Sequence, residues 1–236
     1  MSHFAGRSIV RNLVEISDGP SGFVHGRARF GRALQGLVLA PVLVLTATSA
    51  VAETVDAERI VKESCATCHT QTGNSVAPPF PKLAGMAPDY LAKQMRDIAA
   101  GTRKSDIMVS ILGELSRGQI NALAAYFAGQ RRTPGIVTHP ELVAEGERVY
   151  REGNRETGVP ACAGCHTQNG AGAPRFPMIA AQNADYVVQQ LQNFRSGARA
   201  NDFGKLMRTV VARLSDAELQ AVAQYVASMP VPPVAR

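Results

Sequence analysis

Cys65-Ala66-Thr67-Cys68-His69 recurs as Cys162-Ala163-Gly164-Cys165-His166, 97 positions further along the 236-residue chain. Each stretch has the Cys-x-x-Cys-His pattern through which haem is attached covalently. Two thiols three residues apart on one helical turn can each form a thioether with a haem vinyl group, and the next side chain then reaches the iron. That side chain is His, whose imidazole is the usual proximal ligand. A thioredoxin-like dithiol or a zinc site made from two Cys-x-x-Cys knuckles would also use the cysteines. Neither needs a His after both pairs, and the separation is far beyond zinc-ribbon spacing. The sequence has only five His, so finding one directly after each Cys pair argues for haem. This reading assigns Cys65, Cys68, Cys162 and Cys165 to covalent attachment, and His69 and His166 to iron, of two haem c groups.

The totals agree. All four Cys lie in the two motifs, leaving none for a structural disulfide. With no Trp and 6% aromatic residues the chain is poor in flat apolar bulk, which a buried haem in each half would supply. The formal charge of +6 suggests nucleic acid, but five basic residues lie before residue 33. From Glu53 onward 20 basic and 17 acidic residues leave +3, and haem propionates would offset that, so no nucleic-acid partner is expected.

Ahead of the first motif, residues 1–32 carry Arg7, Arg11, Arg27, Arg29 and Arg32, and 33–50 is an 18-residue run without charge. Ala50-Val51-Ala52 supplies the small residues of a cleavage site, so 1–52 reads as a secretory signal peptide. The alternative is a retained membrane anchor, but Pro41 in mid-run and the Ala-x-Ala end favour cleavage. Export to the periplasm fits the motifs, because bacterial covalent haem attachment belongs to that side of the membrane.

The mature chain repeats itself. A helix from about Asp56 runs into Cys65, a Gly/Pro-rich loop spans 73–81, and a helix covers about 88–100. Ser116 and Gln119 then have the spacing of a capping box opening a helix through Phe127. Residues 131–140, with Pro134, Gly135 and Pro140, read as the connection between two units. In the second unit a helix over about 141–151 and a polar insert, 153–160, precede Cys162. Ala173-Pro174-Arg175-Phe176-Pro177 then parallels Ala77-Pro78-Pro79-Phe80-Pro81, Asp185-Tyr186 parallels Asp89-Tyr90, and Gly197-Ala198-Arg199 parallels Gly101-Thr102-Arg103. Ser215 and Glu218 complete a second capping box, and Tyr225 matches Tyr126. The expected organisation is all-α and tandem: a first domain over 53–133 and a second over 134–236, with 134–140 as linker.

A His-bound haem iron needs a second axial group or an open position, and that choice separates electron carriers from catalysts. The repeat discriminates among the methionines. Met95 matches Leu191, Met86 matches Gln182, Met178 matches Lys82 and Met229 matches Gln130, so none of these recurs. Met108 and Met207 match each other, eight residues before the capping Ser, although three extra residues precede Met207. Both are expected in the loop before the last helix, where sulfur can reach a haem face. The alternative is that they are core methionines. Pro78 and Pro174 are candidates to offer carbonyls to the Nδ1 atoms of His69 and His166. Arg103 and Arg199 would either pair with propionates or remain solvated, and His139 reads as a surface residue.

The two motifs, Phe80-Pro81-Lys82-Leu83-Ala84-Gly85, Asp89-Tyr90-Leu91, Gly197-Ala198-Arg199-Ala200-Asn201-Asp202 and the matching Leu-Ser endings resemble the dihaem cytochromes c4, which are tandem class I c-type cytochromes. The resemblance covers nearly all of 56–229. It implies two cytochrome c domains each wrapping one covalent haem, with His69/Met108 and His166/Met207 as axial ligands. It also implies periplasmic electron carriage from a quinol-oxidising complex towards a terminal oxidase, the carrier being free or loosely membrane-associated. On this reading the protein is an electron carrier and not an enzyme. The alternative is a cytochrome subunit of a periplasmic dehydrogenase.

Overall fold

The computed structural model describes residues 57–233; the signal peptide expected over 1–52 lies outside them. Residues 57–60 start a helix whose next turn, Val61–Cys65, widens into a π turn, and α1 (Ala66–His69) completes it. The first motif thus sits at the kind of helix irregularity that is common at functional sites. The first half continues through α2 (Pro88–Ala99), α3 (Met108–Gly113) and α4 (Arg117–Ala128). After a 3-10 turn, Pro140–Leu142, come α5 (Val143–Glu152), α6 (Ala163–His166) and α7 (Ala184–Ser196). A second 3-10 turn, Phe203–Lys205, leads to α8 (Leu206–Val211) and α9 (Asp216–Ser228). Among the described residues the pairing between extended segments is limited to isolated bridges, as the all-α expectation requires.

Local chemistry accounts for the ends. Pro88 opens α2 at a position that needs no N–H donor. Ser116 and Ser215 each accept from the backbone three residues on, and Gln119 and Glu218 reach back, so both capping boxes form. Each half then has its own core. In the first, α4 packs across α2 and Ile60, Leu91, Ile120, Leu123 and Phe127 meet. In the second, α9 packs across α5 and α7, burying Val149, Tyr150, Phe194, Leu219, Val222 and Val226. Ile120 and Leu219 hold matching places in the two cores; burial of such a side chain stabilises by about 2 kcal/mol.

The connection is not a free tether. The Asn74 side chain donates to the Arg131 carbonyl (2.9 Å) and accepts from the Thr133 N–H (2.8 Å). Further on, Gln224 Oε1 accepts from the N–H groups of Thr138 (2.9 Å) and His139 (3.0 Å). The segment is therefore pinned first to one half and then to the other, which satisfies its backbone polar groups. The halves also grip each other directly. Gln182 accepts from the Lys82 N–H (2.8 Å) and donates to the Lys82 carbonyl (3.0 Å). Fully buried Asn183 donates to the carbonyls of Phe80 (3.0 Å) and Ser75 (3.3 Å).

Candidate haem-binding sites

The two motif histidines occupy equivalent cradles. His69 and His166 end α1 and α6, both buried. Nδ1 of His69 lies 3.0 Å from the Pro81 carbonyl and Nδ1 of His166 lies 2.9 Å from that of Pro177. Since a carbonyl only accepts, Nδ1 carries the proton and Nε2 is left with the lone pair a metal needs. The last prolines of the two loops supply the carbonyls, not Pro78 and Pro174. In the first loop a turn closes from the Phe80 N–H to the Ala77 carbonyl (3.0 Å), so the backbone that follows it, at Pro81, is what faces the ring. Burial lowers the pKa of both imidazoles against the opposing effect of the carbonyl, keeping them neutral and ligand-competent. Phe80 and Phe176 stand edge-on to them, with ring centroids at 6.4 and 6.2 Å.

The backbone is held under strain to do this. Thr70 and Thr167, each directly after the motif His, have φ of 62° and 68°, a region that β-branched residues avoid. Further along, Gly73 and Gly170 also have positive φ. Their carbonyls receive N–H groups from Leu83 and Ala84 and from Ile179 and Ala180. A Cβ on Gly73 would stand 2.7 Å from the Phe127 ring, and one on Gly170 2.7 Å from the Met229 sulfur, so each loop closes flat on its own core.

The cysteines are all free. Burial pushes the thiols of Cys65 and Cys162 up to about 11, which disfavours the free thiolate on which a redox dithiol depends. Among the described residues no group of three or more His, Cys, Asp or Glu is gathered for a bare metal ion. The donor set in each half, two thiols and one neutral imidazole with its Nδ1 engaged, therefore suits a covalently held haem and not zinc.

The methionines separate by environment. Met86 and Met229 are buried in the two cores, Met95 packs on the first core, and Met178 reaches from the second half onto the first core. Met108 is half-buried at the start of α3, between exposed Ile107 and Val109. Met207 is half-buried in α8 and packs against the second core, where Cys162 also lies. Both therefore sit in short helices and not in the loops the repeat led us to expect. His139 is on the surface beside Glu141.

Arg103 and Arg199 are not solvated. Arg103 donates to Gln94 of its own half (2.9 Å) and to Tyr186 and Gln190 of the other (3.0 Å each). Arg199 donates to Gln190 of its own half (3.0 Å), and to Tyr90 (3.1 Å) and Gln94 (3.0 Å) across the seam. The two arginines also face each other in an antiparallel bridge. Burial alone would raise the Tyr186 phenol, but Arg103, Arg199 and Arg132 together hold it below its ordinary range. Read in one half, each of these residues looks like a helix-surface polar group.

Comparison with known proteins bears directly on these cradles. Residues 143–230 match the family described as Cytochrome c, and 52–127 match that described as Cytochrome C oxidase, cbb3-type, subunit III. A cytochrome c4 from Thiocapsa roseopersicina is 48% identical over 164 residues, 68% of this chain and 84% of that protein. The crystal structure of reduced recombinant cytochrome c4 from Pseudomonas stutzeri matches with a TM-score of 0.70 and 38% identity, covering 75% of this chain and 98% of that one. A thiosulfate dehydrogenase electron acceptor from Thiomonas intermedia (strain K12) is 37% identical over 174 residues, 72% of this chain and 80% of that protein. Two cytochrome c domains, each with a covalent haem c, account for both cradles.

Proposed function

This chain belongs to the cytochrome c4 family, and we propose that it carries single electrons in the periplasm, from a quinol-oxidising complex towards a terminal oxidase. Its first domain is 53–133 and its second 134–236, with 134–140 joining them after removal of 1–52. When bound, each haem supplies an iron that alternates between ferrous and ferric states. Cys65 and Cys68 hold one, and Cys162 and Cys165 the other. His69 and His166 present Nε2 to iron, and the carbonyls of Pro81 and Pro177 keep each ring in the tautomer and orientation that this needs. Met108 and Met207 are assigned as sixth ligands, completing His/Met ligation, which raises the potential and leaves no position for a substrate. Their support is the repeat and, for Met108, its place outside the core.

The observation that carries the reading is the duplication of the whole cradle, with its thiols, buried neutral imidazole, proline carbonyl and strained threonine, in two halves joined by a hydrogen-bonded seam. Electron carriage needs only a haem with both axial positions filled, and the duplicated cradle provides for two. The purified protein should show two haem additions on a chain beginning at Glu53 when its denatured mass is measured. In its reduced form it should be reoxidised by membranes containing a terminal oxidase and should not bind carbon monoxide. A mass matching the apo chain would overturn the reading, and carbon monoxide binding would overturn the closed ligation. A second reading, an acceptor subunit serving a periplasmic dehydrogenase, is favoured by the relative from Thiomonas intermedia. Reduction by such a dehydrogenase at a rate above that from quinol-oxidising membranes would establish it.

A further inference from the structure

The seam contains two buried cations that no carboxylate pairs with. Lys82 is 2% exposed and Arg132 4%. Lys82 Nζ donates to Thr133 Oγ1 (2.8 Å). Arg132 Nη1 donates to the carbonyl of Ala84 (2.9 Å), while its Nε and Nη2 are buried without any partner. Among the described residues neither side chain takes part in an ion pair. Burial lowers the pKa of both: Arg132 adds to the effect on Lys82, while Arg132 itself falls to about 10 against the opposing effect of the Tyr186 phenol. An unpaired buried charge is strongly unfavourable, and a second of the same sign beside it makes it more so. The chain keeps both and pairs neither with a carboxylate, and two donor atoms of Arg132 are left without an acceptor.

The other half serves as the control. Counting along the repeat, Met178 stands where Lys82 does and Val231 where Arg132 does, both apolar. The cation pair therefore belongs to the first half alone. Lys82 directly follows Pro81, whose carbonyl holds His69, so the charge lies one residue from the support of the first iron ligand.

We propose that Lys82 and Arg132 form a buried anion site that takes a carboxylate, supplied by a haem propionate, and that this pairing raises the reduction potential of the first-half haem. Positive charge beside a haem favours the ferrous state, which carries one positive charge fewer, and low-dielectric surroundings strengthen the effect. The two domains would then differ in potential by a device built into one of them. The inference rests on the two-haem reading above; counting haems by mass separates failure of that reading from failure of this one.

The test is an anaerobic redox titration of the full-length two-haem protein and of Arg132→Gln, Lys82→Met and Arg132→Lys. Arg132→Gln should make one of the two one-electron components about tenfold harder to reduce, about 59 mV for a one-electron couple, with the other moving much less. Lys82→Met should move the same component in the same direction, and Arg132→Lys should retain most of the native midpoint because it keeps the charge. Native midpoints should not respond when phosphate replaces chloride at constant ionic strength; a response would assign the site to a free oxyanion and overturn the propionate as its source. Unmoved midpoints, equal shifts of both components, or an Arg132→Lys protein indistinguishable from Arg132→Gln would overturn the charge effect. Should Arg132→Gln fail to assemble with two haems, Lys82→Met decides alone, and an unchanged midpoint there sinks the proposal.

Discussion

The two halves use one plan and secure it differently. In the second, the Tyr150 hydroxyl donates to the carbonyl of Thr167 (2.7 Å) from a fully buried position on α5. In the first, the same support behind the motif comes from a different helix: Tyr126 on α4 donates to the Gln71 carbonyl at 3.1 Å, in an exposed setting. The second half also has its insert, 153–160, closed by a backbone pair between Asn154 and Val159 (2.9 and 2.8 Å) and tied to α9 by Asn154 donating to Glu218 (2.7 Å). The first half has no counterpart to that insert and has Gln119 in place of Glu218. The difference teaches that the haem cradle tolerates different scaffolding as long as the His–Pro contact and the turn after the His are held. The second domain fastens its cradle from within, and the first relies more on the seam.

The sharpest way to break the comparison is to remove one cradle. Replacing Cys65 and Cys68 together with Ala should leave one haem per chain by denatured mass and halve the haem absorbance; the Cys162/Cys165 pair should do the same. Next comes ligation. Met108→Ala should remove about half of the weak long-wavelength absorption band of thioether-ligated ferric haem, and Met207→Ala the other half; an unchanged spectrum would overturn that assignment.

The seam is tested through Asn183, a fully buried residue that donates to two carbonyls of the other half. Asn183→Ala should cost about 2–4 kcal/mol, the sum of two lost bonds and two stranded carbonyls, seen as a lower thermal midpoint. If the first half relies on the seam, its haem spectrum should change before that of the second. The internal fastening is tested by comparing two hydroxyl deletions. Tyr150→Phe should cost about 1.5 kcal/mol because it strands a part-buried carbonyl, and Tyr126→Phe about 0.5 kcal/mol because water replaces the bond. Equal losses would erase the distinction.

The smallest effect is visible only in acid. Burial would raise the Glu218 carboxyl, but the bonds from Asn154 and Ser215 hold it below the usual carboxylate range. A depressed folded pKa means stability that is present above the unfolded value, near 4.5, and lost as pH falls from there through the folded value. The second half should therefore loosen first on acidification, and Glu218→Gln, which copies the first half, should flatten that dependence in an acid unfolding curve.

Much of this was legible in the sequence because it is local. Both motifs, both capping boxes and the repeat depend on residues within a few positions of one another, and the structure shows the helices where those signals put them. The supporting carbonyl comes three residues after Pro78 and Pro174, because the patterns Ala-Pro-Pro-Phe-Pro and Ala-Pro-Arg-Phe-Pro do not say where the turn closes. The repeat places Met108 and Met207 in loops, but each lies at the start of a six-residue helix. The seam was invisible for a different reason. Tyr90, Gln94, Gln182 and Asn183 find their partners about a hundred positions away, and in single sequence such residues look like any polar helix surface. Arg103 and Arg199 were singled out by recurrence, yet recurrence could not show that each would cross to the opposite half.

Those crossings have a consequence for the chain's history. Tyr90, Gln94 and Arg103 meet Tyr186, Gln190 and Arg199 as a self-complementary patch meets its own copy, the geometry of a two-fold homodimer drawn inside one polypeptide. In a dimer of identical subunits every substitution appears twice, so a buried cation added on one side is repeated on the other. Fusion removes that constraint. Once duplicated and joined, each copy could change alone, and a symmetric contact could come to hold two unequal partners.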